Sequence, residues 1–136
     1  KNDVSEMVVQ KLGDATELTF AFSRSIASRD KTESLKKYQE LLDYDIEPLA
    51  VIGLLASQIR IMYQVKVLEN DRKNVNEIAS ILDQKPFRIT KTKELTGLFT
   101  KNELLNLMKQ LADMDLKIKT TDVDPNFLIQ LFILNL

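Results

Sequence analysis

The stretch that decides the fold is residues 48–68, PLAVIGLLASQIRIMYQVKVL, which is apolar on nearly every face rather than along one stripe. One apolar seam at helical spacing consists of Ile52, Leu55, Ile59 and Met62. A second seam on a different face consists of Leu54, Ile61, Val65 and Leu68. Because a helix with two apolar faces must be surrounded, we expect this one at the centre of a bundle.

The same stretch is long enough to cross a membrane, since 1.5 Å per residue gives about 30 Å. Its charged residues argue against that, because burying Arg60 and Lys66 in lipid would cost several kcal/mol. Their aliphatic stems can instead cross a soluble interface with the charged heads in water. We therefore expect a soluble bundle with no membrane partner.

The amino-acid composition excludes several classes of function. The chain has 136 residues, 44% apolar and 29% charged, which fits one globular domain or a domain plus the tail of another. Its net charge of −1 gives no general attraction to nucleic acid or anionic membrane. Cys and His are absent and no phosphate-binding glycine loop occurs, so we expect no catalytic residue, metal, cofactor or small-molecule substrate. The expected location is cytoplasmic.

Capping residues and apolar spacing predict a fold of helices only. The predicted helices cover residues 3–12, 17–28, about 30–42, 48–68, about 74–82, 86–95, 100–119 and 125–136. Asp3 and Glu6 have the spacing of a capping box, and Gly13 is placed to end the first helix. Strand alternation with hairpin turns is missing. The fold class is all-α, a helical bundle of about seven or eight helices.

Residues 78–89, IASILDQKPFRI, have the spacing of a helix-turn-helix unit. Arg88 and Lys91 would give its second helix a basic surface that could contact phosphates. Asp83 stands where the tight turn usually has Gly, and no Asn or Gln opens the second helix to read base edges. We favour a structural helical hairpin and keep a helix-turn-helix DNA-binding protein as the alternative.

The last helix, PNFLIQLFILNL at residues 125–136, is more apolar than one buried face requires. Exposed contiguous apolar surface commonly marks association. The candidate subunit-interface residues are Phe127, Leu128, Leu131 and Phe132. The other interpretation is a terminal helix inserted fully into the core of its own chain.

Residues 113–119, DMDLKIK, carry paired charges. Asp115 and Lys119 are four residues apart, which on a helix predicts an exposed ion pair worth a few tenths of a kcal/mol. A metal site would need further ligands from elsewhere, and none can be named.

Several of these stretches together resemble one known family. They are Glu47-Pro48, LLASQIR at 54–60, EIA at 77–79 with Leu82, Pro86-Phe87, LADMDLKIKT at 111–120, and Asp124-Pro125. From about residue 20 to its end, the chain is similar to the C-terminal part of the delta subunit of the bacterial DNA polymerase III clamp loader.

The resemblance implies a domain division and a role. Residues 1–16 would be the tail of a preceding AAA+ lid domain and residues 17–136 a C-terminal helical collar domain. The collar would hold the other clamp-loader subunits, while the sliding clamp would bind an N-terminal domain outside this chain and DNA would be contacted weakly or indirectly. The expected function is to support clamp loading on primed DNA. The chain itself would not be an enzyme, although its parent complex belongs to a DNA-directed DNA polymerase holoenzyme.

Overall fold

The computed structural model describes residues 3–136, with side chains described at residue 6 and from residue 13 onward. These residues form seven α-helices and no strand: α1 (Asp3–Ala27), α2 (Lys31–Asp43), α3 (Pro48–Asn70), α4 (Val75–Leu82), α5 (Pro86–Thr96), α6 (Lys101–Thr120) and α7 (Pro125–Leu134). The predicted all-α class is confirmed, and the number of helices is at the lower end of the prediction.

Helix α1 is one helix of 25 residues where two were predicted. Gly13 does not end a helix, and it does not adopt the positive φ of a helix-ending glycine. An internal Gly costs only about 1 kcal/mol relative to Ala. Burial of Phe22 and Ile26 in the core offsets that cost further along the same helix. The predicted capping box of Asp3 and Glu6 lies outside the side chains that the structure describes.

Helix α3 is the central helix, as predicted, because it contacts α1, α4, α5, α6 and α7. Its first predicted seam is fully buried: Ile52, Leu55, Ile59 and Met62 are each no more than 3% exposed. Among the described helices, α3 alone has the length and apolar composition to cross a membrane. Within this fold, that seam belongs to the main hydrophobic core, together with residues of α1, α2, α5, α6 and α7.

The second predicted seam is only partly covered. Val65 is buried with residues of α4 and α5 in a small second cluster, and Ile61 and Leu68 pack against it. At the other end of α3, however, Leu49 is 49% exposed and Gly53 is also exposed. The expectation that α3 is surrounded on every face is therefore wrong for its N-terminal half, as far as the described residues show.

Side-chain caps fix where the helices begin. A capping box of Thr100 and Glu103 opens α6, and a second one, of Asn74 and Glu77, opens α4. Asp30 caps α2 by accepting a hydrogen bond of 3.0 Å from the Glu33 N–H. These local signals explain why most predicted boundaries agree with the structure.

Tyr38 ties α2 to the start of α7. Its buried ring stacks on Phe22 with centroids 6.2 Å apart, and its hydroxyl donates a hydrogen bond of 2.6 Å to Asn126 Oδ1. Burial, together with the nearby Asp124 carboxylate, raises the pKa of Tyr38 to about 12. Both effects oppose ionisation of the hydroxyl, so the folded state holds Tyr38 neutral.

The turn between α4 and α5 depends on Asp83. This residue adopts the left-handed conformation, with φ 56° and ψ 49°, at the position where helix-turn-helix turns usually carry Gly. Asp tolerates this conformation better than most residues with a Cβ. The turn therefore keeps a glycine-like backbone without a glycine.

The first prediction concerns alkaline unfolding. Because the folded-state pKa of Tyr38 is raised, its contribution to the free energy of unfolding is fully present below the unfolded-state pKa and is lost as the pH rises from about 10 to about 12. We expect wild type to be more stable than Tyr38→Phe by about 1 kcal/mol at pH 8. The difference should shrink across that alkaline range in urea unfolding. A difference that stays constant with pH would contradict this account.

The second prediction concerns the α4–α5 turn. Asp83→Val should lower the free energy of unfolding by about 1–2 kcal/mol, because a β-branched residue is strained at positive φ. Asp83→Gly is the matched control and should be neutral or stabilising by up to about 1 kcal/mol. Chemical denaturation of the three proteins measures both effects. Equal stabilities of the Val and Gly variants would be incompatible with a left-handed Asp83.

Candidate subunit interface

Helix α7 is held in place by its first turn and by three neighbouring helices. Pro125 occupies the first helical position, and Asp124 caps the helix by accepting a hydrogen bond of 3.2 Å from the Asn126 N–H. The helix packs against α2, α3 and α6. Together with the Tyr38–Asn126 hydrogen bond, this packing fixes which side of α7 faces the core.

The predicted interface residues divide between two faces of α7. Leu128 and Phe132 are each 8% exposed and belong to the main core, so in this fold they are not available to a partner. Phe127 is 52% exposed and Leu131 is 39% exposed. The spacing explains the division, because residues 128 and 132 share one side of a helix and residues 127 and 131 share the neighbouring side.

The sequence prediction missed one member of the exposed face. Leu134 is 51% exposed and lies seven residues, about two helical turns, after Phe127. Phe127, Leu131 and Leu134 therefore form a stripe of partly exposed apolar side chains, which we call the α7 stripe. The seven-residue spacing was visible in the sequence, but which side of so apolar a helix faces out depends on the packing of the whole bundle.

The hairpin of α4 and α5 has the predicted helix–turn–helix arrangement, with Ile78, Ala79 and Ile89 buried together against Val65. Its basic residues, however, are engaged within the chain. Lys91 pairs with the Glu17 carboxylate of α1, and its Nζ lies 5.4 Å from the centroid of the Phe20 ring. A phosphate would have to compete with the Glu17 carboxylate for Lys91.

The neighbouring basic residues of α5 are also partly enclosed. The Nε of Arg88 is buried and has no hydrogen-bond partner among the described residues, while its side chain as a whole is half-buried. Lys93 pairs with Glu69 of α3 at 3.2 Å. The basic surface that the sequence suggested is therefore largely used to attach α5 to α1 and α3.

The charged run of α6 behaves as predicted. Lys119 Nζ lies 2.8 Å from Asp115 Oδ2, and both side chains are well exposed. An exposed pair of this kind contributes little to stability. In the part of the chain that the structure describes, no three acidic side chains come together in a way that could hold a metal ion.

The structure thus exposes only Phe127 and Leu131 of the predicted interface residues. The predicted phosphate ligands Arg88 and Lys91 lie against other parts of the chain. The α7 stripe offers aromatic and aliphatic side chains without charge, a composition found at the buried centres of protein interfaces. The positive charges of Arg88 and Lys91 are only partly accessible to a ligand, because the Arg88 Nε is buried and Lys91 pairs with Glu17. On geometry alone, the described surface is better suited to contact with another protein than to reading DNA.

Comparisons with known proteins agree on one family. Residues 16–136 match the model of the DNA polymerase III delta subunit, C-terminal domain. The DNA polymerase III subunit delta of Bacillus subtilis (strain 168) is 33% identical over 135 residues, which cover 99% of this chain and 38% of that protein. The solved structure of the Bacillus subtilis DNA clamp loader delta protein superposes with a TM-score of 0.84 at 32% identity, over 89% of this chain and 36% of that one.

The family model spans the helical bundle from residue 16 to residue 136, and the three comparisons give no support to the helix-turn-helix DNA-binding alternative. The chain spans less than two fifths of the length of either relative. The agreement of the family model, the sequence identity and the fold leads to one conclusion: the chain belongs to the DNA polymerase III delta subunit family, with residues 16–136 forming its C-terminal domain.

Proposed function

We propose that residues 17–136 act as the collar domain of a clamp-loader delta subunit and hold other clamp-loader subunits through the α7 stripe. Membership of the delta subunit family indicates the kind of assembly, which is a clamp loader. The observation that carries the proposal is the exposure of Phe127, Leu131 and Leu134 on a helix whose opposite side is locked into the core. Removing such side chains from water on association is favourable by about 25 cal/mol per Å² of apolar surface.

The rest of the proposed role concerns parts of the protein outside this chain. Residues 1–16 are proposed to be the end of an AAA+ lid domain, although helix α1 runs without interruption across residue 16. The sliding clamp would be engaged by a preceding N-terminal domain, so that the whole assembly loads the clamp on primed DNA in the bacterial cytoplasm. This chain would contribute association and no chemistry to the polymerase holoenzyme.

The third prediction tests the α7 stripe. Leu131→Glu should weaken association with the purified clamp-loader subunits of the same organism by at least roughly tenfold, because it places a charge in the apolar contact. Its effect on the free energy of unfolding should be about 1 kcal/mol or less, since Leu131 is already partly exposed. Sedimentation velocity with a fixed amount of each subunit measures the association.

The matched control is Leu116→Glu, the same change at a leucine of α6 that is 59% exposed and outside the α7 stripe. It should leave association within about twofold of wild type. If both substitutions weakened association equally, or if Leu131→Glu left it unaffected, the α7 stripe would not be the contact surface. If the wild-type chain bound none of the subunits, the proposed collar function would be wrong.

The fourth prediction concerns DNA. We propose that any phosphate contact by Arg88 and Lys91 is weak and independent of sequence, because Lys91 already pairs with Glu17. Fluorescence anisotropy with duplex DNA should show no sequence preference and a steep loss of binding as salt increases. Lys91→Ala should change DNA affinity little, because Lys91 already pairs with Glu17. Tight, sequence-selective binding by the isolated chain would contradict this proposal and favour a DNA-reading hairpin.

A further inference from the structure

A cavity of about 330 Å³ lies between helices α1 and α5, and we call it the α1/α5 cavity. Its volume is at the lower end of the range found for small-molecule sites, about 300–1,000 Å³. Residues one helical turn apart line it on both sides, and they include Gly13, Glu17 and Phe20 from α1 and Phe87, Arg88 and Lys91 from α5. A cavity of this size has room for one small ligand.

Phe87 gives this cavity an exposed aromatic surface. Its side chain is 65% exposed, more than that of any other large apolar residue among those that the structure describes. Phe20 also lines the cavity but is buried in the main core. An exposed aromatic face beside a cavity is suited to stacking on a flat ring of a ligand.

The charged residues of the cavity favour an anion. Lys91 pairs with Glu17, so these two residues add no net charge. Arg88 leaves the lining with a net positive charge, and its buried Nε has no hydrogen-bond acceptor among the described residues. A buried donor without an acceptor costs free energy, and a guanidinium group is well suited to bind a phosphate. The cavity therefore combines an aromatic face with a cation that still needs an acceptor.

Gly13 helps to keep the cavity open. It lies inside α1, is exposed, and a Cβ built on it would meet no atom within 4 Å. Glycine destabilises a helix interior relative to alanine, and no contact among the described residues requires it here. Because Gly13 lines the cavity, a side chain at this position would occupy part of the space that a ligand needs.

We propose that the α1/α5 cavity binds one nucleotide unit, with the base stacked on Phe87 and the phosphate held by Arg88. A nucleotide joins a flat ring to an anionic group, as the aromatic face and the net positive charge require. Stacking tolerates any base, because every base has a π face. The base must be unpaired, since neighbouring bases cover its faces in a duplex. An unpaired nucleotide of a DNA strand as the source rests on the proposed function, but the chemistry of the cavity does not.

The test is an NMR titration of the isotope-labelled chain with AMP and, separately, with a single-stranded pentadeoxyadenylate. AMP should shift the amide signals around Glu17 and Phe87 in a saturable way and leave those of α7 unchanged. A pentadeoxyadenylate affinity at least roughly tenfold above that of AMP would identify a DNA strand as the source, whereas equal affinities would identify a free nucleotide. Ribose 5-phosphate that binds as tightly as AMP would overturn the proposal, because the base would then contribute nothing. Absence of saturable binding would also overturn it.

Two pairs of substitutions test the base and the cavity. Phe87→Leu removes the ring but keeps an apolar side chain, and it should weaken AMP affinity roughly tenfold, whereas Phe87→Tyr keeps the ring and should stay within about twofold of wild type. Gly13→Leu should fill the cavity and weaken affinity roughly tenfold, and Gly53→Leu, at another exposed helical glycine, should not. Leucine is a better helix former than glycine, so neither change should unfold the chain. Equal AMP affinity of the two Phe87 variants, or of Gly13→Leu and wild type, would show that the proposal is wrong.

A third substitution tests the phosphate contact. Arg88→Gln should weaken AMP affinity severalfold at low salt, and the loss should fade as salt rises. Arg60→Gln, at an exposed arginine of α3 outside the cavity, is the control and should have no such effect. Equal affinities of the two variants at low salt would exclude Arg88 as the phosphate ligand and overturn the proposal.

The nucleotide site and the proposed collar function can fail separately. Leu131→Glu, which is expected to weaken subunit association, should bind AMP as wild type does, because Leu131 does not line the cavity. AMP binding by a chain that associates with no clamp-loader subunit would support the nucleotide site and contradict the collar function. Loss of AMP binding in Leu131→Glu would place the ligand outside the α1/α5 cavity and overturn the proposal.

Discussion

The burial of one seam of α3 is the constraint on which the rest of the structure depends. Ile59 and Met62 are almost inaccessible to water, and the main core around them includes residues of every helix except α4. Phe132 and Ile133 of α7 join this same core. Because they must face α3 and its neighbours, α7 has only one orientation available. The exposure of the α7 stripe is therefore a consequence of how α3 is packed.

Features encoded within a few residues were predictable from sequence. The capping box of Thr100 and Glu103, the ion pair of Asp115 and Lys119, and the first seam of α3 all depend on spacings of three or four positions along one helix. A helix brings such positions together whatever the rest of the chain does. The all-α fold class follows from the same local information.

Features that depend on residues distant in the sequence could not be predicted from it. Gly13 has the local appearance of a helix end, yet the packing of residues further along α1 keeps the helix continuous. Lys91 looks like an exposed phosphate ligand, but its partner, Glu17, is 74 positions away in sequence. The split of the candidate interface has the same origin, since Leu128 and Phe132 are as apolar as Phe127 and Leu131. No local sequence pattern indicates which of these two pairs is buried in the bundle.

The two exposed apolar surfaces have a common physical explanation. A bundle built around a helix that is apolar on two faces needs enough neighbours to cover both, and the described helices cover the first face of α3 and the C-terminal half of the second. The N-terminal half is left with Leu49 exposed, and α7 is left with Phe127 and Leu134 exposed. Scattered apolar side chains on a surface need no explanation. Here, however, three of the exposed side chains share one helix face, and Leu49 lies beside a glycine that no internal contact requires. That arrangement leaves two apolar surfaces that the described helices of this chain do not cover.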